Sequence, residues 1–207
     1  MWSLLLTLGL FVDSGLRETV HVPFGRSGTV AVQRPPDLGA DYMPRAQPPL
    51  YSARRDAAAL RFCWDLPRSA MCQVFLVRPG LPTRALPRSD VTRLLWTPDG
   101  RYLIGAGADK IRLWNLAGGV RVQMPRPPDV EVDRVARTRA ITGIHLEGND
   151  LCVVLLADVF SRSGGHAAQQ STTTRYVLPT LRPAESVSLP TRPGTDPPCH
   201  ALRTGPG

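Results

Sequence analysis

Lysine is almost missing from this 207-residue chain: of 25 basic residues only Lys110 is a lysine, and the rest are arginines. With 17 acidic residues the formal net charge is +8. A GC-rich genome, in which arginine codons displace lysine codons, accounts for the bias; a polyanion-binding surface is the other account. The arginines are scattered, however, and their densest cluster, Arg134, Arg137 and Arg139, has no interleaved aromatics of the kind that stack bases. Helical periodicity is missing too, apart from a weak alanine-rich run at Arg54–Leu60. The apolar stretch Trp2–Val12 is too short to span a bilayer, so no stable membrane span is expected. No Cys-x-x-Cys, Gly-x-Ser-x-Gly elbow, phosphate loop, dinucleotide glycine fingerprint or His-Glu-x-x-His occurs, so nothing identifies a reaction or a cofactor.

What is abundant is turn chemistry, with 21 prolines and 18 glycines beside 43% apolar residues. That balance suits a turn-rich β protein. Its clearest expression is residues 88–116. Val91–Trp96 reads as a strand, Thr97-Pro98-Asp99-Gly100 as a tight turn, and Arg101–Ile104 as a second strand. Gly105-Ala106-Gly107-Ala108 is too small and flexible to continue it. Lys110–Leu116 then alternates, with Ile111, Leu113 and Asn115 on one face and Arg112, Trp114 and Leu116 on the other. Gly118-Gly119 turns the chain into a fourth strand, Val120–Met124.

This stretch resembles one blade of a WD-repeat β-propeller. The resemblance rests on Asp90-Val91-Thr92, on Trp96 to Leu103 with Asp99 and Gly100 in the turn, on Gly107-Ala108-Asp109, and on Ile111 to Asn115 with Trp114. The Gly-His pair that usually opens such a blade is replaced by Arg88-Ser89, and the closing dipeptide is Trp114-Asn115 instead of Trp-Asp. In that family an aspartate at the position of Asp109 joins the histidine in a buried hydrogen-bond network. The resemblance therefore implies structural roles for Trp96, Asp99, Gly100, Asp109 and Trp114. It also implies a platform whose loops bind other proteins.

Two degenerate copies flank the clear one. Leu60–Trp64 aligns with Thr92–Trp96 and leads through Met71–Arg78 to Thr83–Leu86. Thr142–Leu146 opens a third copy, followed by Leu151–Val159, Thr172–Leu178 and Glu185–Leu189. Trp64, Trp96 and Leu146 are 32 and 50 residues apart, averaging close to the roughly 40–45 residues of such repeats. The predicted organisation is amino-terminal strands or a signal-like segment over 1–33, a proline-rich linker over 34–59, blades over 60–189 and a disordered tail over 190–207. Ser161–Ser171 reads as a mobile loop. The fold class is all-β, a small or partial propeller of three to four antiparallel blades with irregular termini. Three blades would leave apolar faces open, so a small ring completed by residues 4–33, oligomerisation, or a remnant of a longer propeller all fit.

Two readings fit the amino terminus. Leu4–Val12 is either the apolar core of a signal sequence, implying export, or a strand turning at Asp13-Ser14-Gly15 into Arg17–Val22, implying a cytoplasmic protein. Cys63 and Cys72 are equidistant from a turn between Pro67 and Arg68, so they face each other either as a disulfide or as two small buried residues. A disulfide would favour an oxidising compartment. His145 and Glu147 offer half a metal site with no third ligand evident, so no metal is assigned. Asp99 and Asp109 have turn roles, and no residue is assigned to catalysis. The expected function is a non-enzymatic protein-interaction scaffold for an acidic partner. Its candidate contacts are the loops 78–87 and 123–139, the latter holding Arg134, Arg137 and Arg139. Nucleic-acid or polyanion binding through the arginine-rich loops is the alternative.

Overall fold

The computed structural model describes residues 19–36, 44–66, 69–88, 90–127, 130, 133–163 and 165–190. Among them there is no α-helix, and fifteen strands form four antiparallel sheets. The first sheet is a hairpin of β1 (Thr19–Pro23) and β2 (Thr29–Gln33). In the second, β3 (Arg45–Ala46) and β4 (Leu50–Tyr51) both flank β5 (Ala58–Leu66), which continues to β6 (Ser69–Val77) and β7 (Arg84–Ala85). The third is a meander of β8 (Arg93–Trp96), β9 (Tyr102–Ala106), β10 (Ile111–Asn115) and β11 (Val120–Gln123). The fourth is a longer meander of β12 (Arg134–Glu147), β13 (Asp150–Ser161), β14 (His166–Val177) and β15 (Arg182–Pro190). No helix of the described residues is long and apolar enough to cross a membrane.

Period-2 alternation explains how the sheets stack, because successive side chains point to opposite faces. On β5, Ala58, Leu60 and Phe62 turn towards Val22, Phe24 and Val32 of the hairpin. Ala59 turns the other way and joins Val74, Leu76, Trp96, Leu103 and Trp114. On β10, Trp114 faces that cluster, whereas Ile111 and Leu113 face Ile141, Leu151, Val153 and Leu155 of the fourth sheet. The second and third sheets are thus buried on both faces, and the four sheets pack in chain order. Each fully buried aliphatic or aromatic side chain stabilises this stack by roughly 1.5–3 kcal/mol. Polar ties cross the same interfaces. The Arg61 guanidinium donates to the Thr92 carbonyl. Arg93 donates to the Ile141 carbonyl at 3.0 Å, and the Ile141 N–H donates to the Ala108 carbonyl at 2.9 Å.

The strand-turn-strand reading of 91–104 holds, with Gly100 at φ +68° and its N–H bonded to the Thr97 carbonyl at 2.8 Å. Several expectations are corrected. Gly105 and Ala106 continue β9, paired with Leu94 and Arg93 of β8 and with Arg112 and Ile111 of β10, and a side chain at 105 would collide with the Trp114 ring and Val91. The weakly helical run Arg54–Leu60 is a turn leading into β5, whose first residues are Ala58–Leu60. Residues 166–171, expected in a mobile loop, are the first half of β14, paired along β13. Arg134–Arg139, expected in a loop, lie on β12.

The alignment of Leu60–Trp64 with Thr92–Trp96 is corrected as well. The strand beside β8 is β4, since Trp96 Nε1 donates to the Leu50 carbonyl at 2.8 Å. Leu60–Trp64 lies one strand further across its sheet. Trp64 is fully buried with no acceptor for its Nε1 among the described residues, so the two tryptophans are not equivalent. The proposed strand 4–12 and the tail from 191 onward lie outside the described residues.

Two stability predictions arise from this packing. Gly105→Ala places a Cβ 2.6 Å from the Trp114 ring and 2.9 Å from Val91, and should cost about 1–3 kcal/mol in urea unfolding; an unchanged midpoint would mean that the tryptophan shifts without penalty. Burial pushes the Tyr176 phenol from 10.0 up to about 12, partly offset by a hydrogen bond with Thr174. The unfolded chain therefore ionises first, so the stabilisation is complete below pH 10 and is lost as pH rises from 10 towards 12. Tyr176→Phe should flatten that alkaline loss, and an equally steep loss in both proteins would refute the assignment.

Candidate interaction surfaces

The turn of the clearest repeat is held by its own side chains. Asp99 Oδ1 accepts from Thr97 Oγ1 at 2.6 Å and from the Arg101 N–H at 3.0 Å. Those two bonds, the Thr97 hydroxyl first, hold its carboxyl below the usual carboxylate range. Thr97 Oγ1 in turn accepts from the Tyr102 N–H at 3.1 Å. Both groups are consumed by the turn. Asn115, where the resemblance would have aspartate, accepts from the Gly119 N–H at 2.8 Å through its side-chain oxygen, so the amide serves that turn.

The structural role expected for Asp109 falls to Asp90. Asp109 is 39% exposed and, among the described residues, meets only its neighbour Lys110, at 3.8 Å. Asp90 accepts from the Ala108 N–H at 2.9 Å and pairs with Arg112 at 3.2 Å, where Arg112 is only 16% exposed. A side chain at Gly107 would collide with Asp90. Asp90 thus ties the entry of β8 to the β9–β10 turn and β10. The available signal was the acid at the start of the repeat, combined with the missing histidine.

Cys63 and Cys72 face each other in register and are disulfide-bonded, with Cα atoms 4.1 Å apart. His145 and Glu147 lie 3.8 Å apart, and Cys152 brings a third candidate ligand atom within 4.8 Å of both. Cys152 is itself disulfide-bonded, so its sulfur is no thiolate, and this cluster remains a half-site.

Arg134, Arg137 and Arg139 occupy the exposed outer half of β12, the edge strand of the fourth sheet. Arg139 falls at the register shift between Thr138 and Ala140 and pairs with Asp158 at 3.5 Å. Asp158 also accepts from Gln169 Nε2 at 3.0 Å. The Arg137 guanidinium lies 5.6 Å from the centre of the Phe160 ring, a cation–π arrangement that holds a cation in place. Arg134 begins the strand and is exposed. The three arginines are therefore displayed along a strand instead of a loop, with Arg134 and Arg137 on opposite faces of it.

A second concave feature was not anticipated. The β8–β9, β12–β13 and β14–β15 turns lie at one end of the third and fourth sheets and enclose a cleft of about 370 Å³. Pro98, Tyr102 and Leu178 supply its apolar walls, and Asp99, Arg101 and Asn149 its polar groups. Thr97, Gly148 and Pro179 complete its lining.

If Asp90 carries the structural load, Asp90→Ala should destabilise the chain by about 1–3 kcal/mol, because it leaves Ala108 N–H and the largely buried Arg112 unpaired. Asp109→Ala should change stability by less than about 0.5 kcal/mol. Equal losses in thermal unfolding would return the role to Asp109. Comparison of the sequence with models of known protein families finds no match, and a search of curated proteins finds no relative.

Proposed function

We propose that this chain is a non-enzymatic protein-interaction scaffold that engages an acidic partner. The observation that carries the reading is the display of Arg134, Arg137 and Arg139 along an exposed edge strand, with Arg137 stacked on Phe160. Arginine suits such a role because its planar guanidinium binds carboxylates through two parallel bonds and remains charged.

In the same reading the sheets are blades of a WD-repeat-like propeller. The support is their face-to-face packing in chain order, the two regular four-stranded meanders, and β4 standing beside β8 as β12 does on the other side. Among the described residues no buried cluster joins the β1–β2 hairpin to the fourth sheet, so the proposed form is an open array of blades. The Cys63–Cys72 disulfide and the bonded Cys152 favour an oxidising compartment, and with it the export reading of Leu4–Val12.

The test uses poly-L-glutamate and single-stranded DNA as probes. Replacing Arg134, Arg137 and Arg139 with Ala should weaken poly-glutamate binding by about tenfold or more, an energy above about 1.4 kcal/mol. The melting temperature should shift by only a few degrees, since the exposed Arg139–Asp158 pair contributes less than about 1 kcal/mol. Unchanged affinity removes this strand as the site. Preference for DNA, with affinity falling steeply with salt, would replace the protein partner by a nucleic acid.

A further inference from the structure

The edge strand β11 combines two unfinished features. Val120 and Val122 on β11, and Met124 just past its end, are 50%, 54% and 57% exposed. The two valines project on the face towards the second sheet, because Val120 stands opposite Trp114 and Val122 opposite Arg112. Trp114 on that face is buried against the second sheet. Among the described residues the apolar stripe stays uncovered, because the strand that would lie opposite, β7, is only two residues long. Its Arg84 reaches the β10–β11 turn, donating to the Ala117 carbonyl, and the chain then leaves towards β8.

The backbone of β11 is unfinished on the same side. The Asn115 N–H donates to the Gly119 carbonyl at 3.0 Å and sets the hydrogen-bonding phase of the hairpin. Alternation from that pair makes Leu113–Arg121 and Ile111–Gln123 the bonded pairs with β10. Val120 and Val122 then point their N–H and C=O groups away from β10, and β11 ends its sheet. An edge of this kind is a template for another strand, and the usual protections of lysine, proline or a bulge are absent from β11 itself.

We infer that β11 is a strand-addition site for an extended segment of a protein partner in which apolar and acidic residues alternate. The apolar residues would lie beside Val120, Val122 and Met124. The acidic ones would fall on the other face beside Arg121, the only charged residue on the strand. A second copy of this chain fits worse. In the antiparallel register that pairs Val120 with Val122, two β11 strands set Arg121 against Arg121, and two chains of net charge +8 repel. Main-chain bonds would supply affinity and the stripe would supply register, as in other strand-addition complexes. The inference rests on the scaffold reading and its acidic partner, but it places that partner on a different strand from the arginines of β12.

The test uses the full chain and two fluorescein-labelled peptides of equal composition. One alternates Val and Glu, and the other groups them in two blocks. Fluorescence anisotropy should show the alternating peptide binding about tenfold or more tighter. Val122→Pro removes one outward N–H and no ladder bond, so it should abolish that preference while leaving the melting temperature nearly unchanged. Met124→Glu, a surface change with no backbone consequence, should weaken binding of the alternating peptide as well. The Arg134, Arg137 and Arg139 triple alanine variant should leave it within about twofold, which separates failure at β12 from failure at β11. Equal binding of the two peptides, or binding indifferent to both β11 variants, overturns the proposal. So does a concentration-dependent dimer of the free chain that Val122→Pro dissolves, because the occupant would then be a second copy.

Discussion

The indole of Trp114 fills the space that a side chain at Gly105 would need, and on this contact the two-sided burial of the third sheet depends. Because β9 presents no side chain there, the large ring can lie close to its own sheet and still reach the second one. The opposite faces of β9 and β10 send Ile104, Ile111 and Leu113 into the fourth sheet. One meander therefore belongs to two cores at once. A close-packed interior has little room for volume changes, so a disturbance at this contact would reach both clusters.

Polar groups secure what the apolar faces bring together. Asp90 bridges the entry of β8 to the next turn and to Arg112, Thr97 and Asp99 close the β8–β9 turn, and Asn115 closes the β10–β11 turn. Each bond is modest, on the order of 1 kcal/mol. Together they set where each strand starts and hence which residues reach which face. The half-exposed Asp109, by contrast, pairs with its neighbour Lys110. A role implied by motif position can thus be filled by another carboxylate when its usual partner is missing.

The outer edges of the sheets differ in how they meet solvent. On β12 the edge carries three arginines, one braced by Phe160 and one by Asp158. On β11 it carries Val120 and Val122, with Met124 just beyond, exposed because the neighbouring sheet ends early. Charge protects an edge and also advertises it to an opposite charge, whereas an apolar edge invites pairing. Both follow from unequal strand lengths in sheets stacked face to face. The cleft at the sheet ends is lined by turns of the two neighbouring sheets.

The all-β class, the turn at Thr97–Gly100, the division of faces on β10 and the facing of Cys63 with Cys72 were all legible in the sequence. Each of these is local: a period of two, a proline–aspartate–glycine corner, or a distance counted from a hairpin centre. Tertiary structure decided the rest. It carried β9 through Gly105, made strands of residues 134–140 and 166–171, and set β4 beside β8 where Leu60–Trp64 was expected. It also gave Asp90 the role expected of Asp109. Small and polar residues such as Gly105, Gln169 and Gln170 carry no strand signal of their own; they are held in strands because paired neighbours satisfy their backbone groups and a packed sheet leaves no room for an alternative.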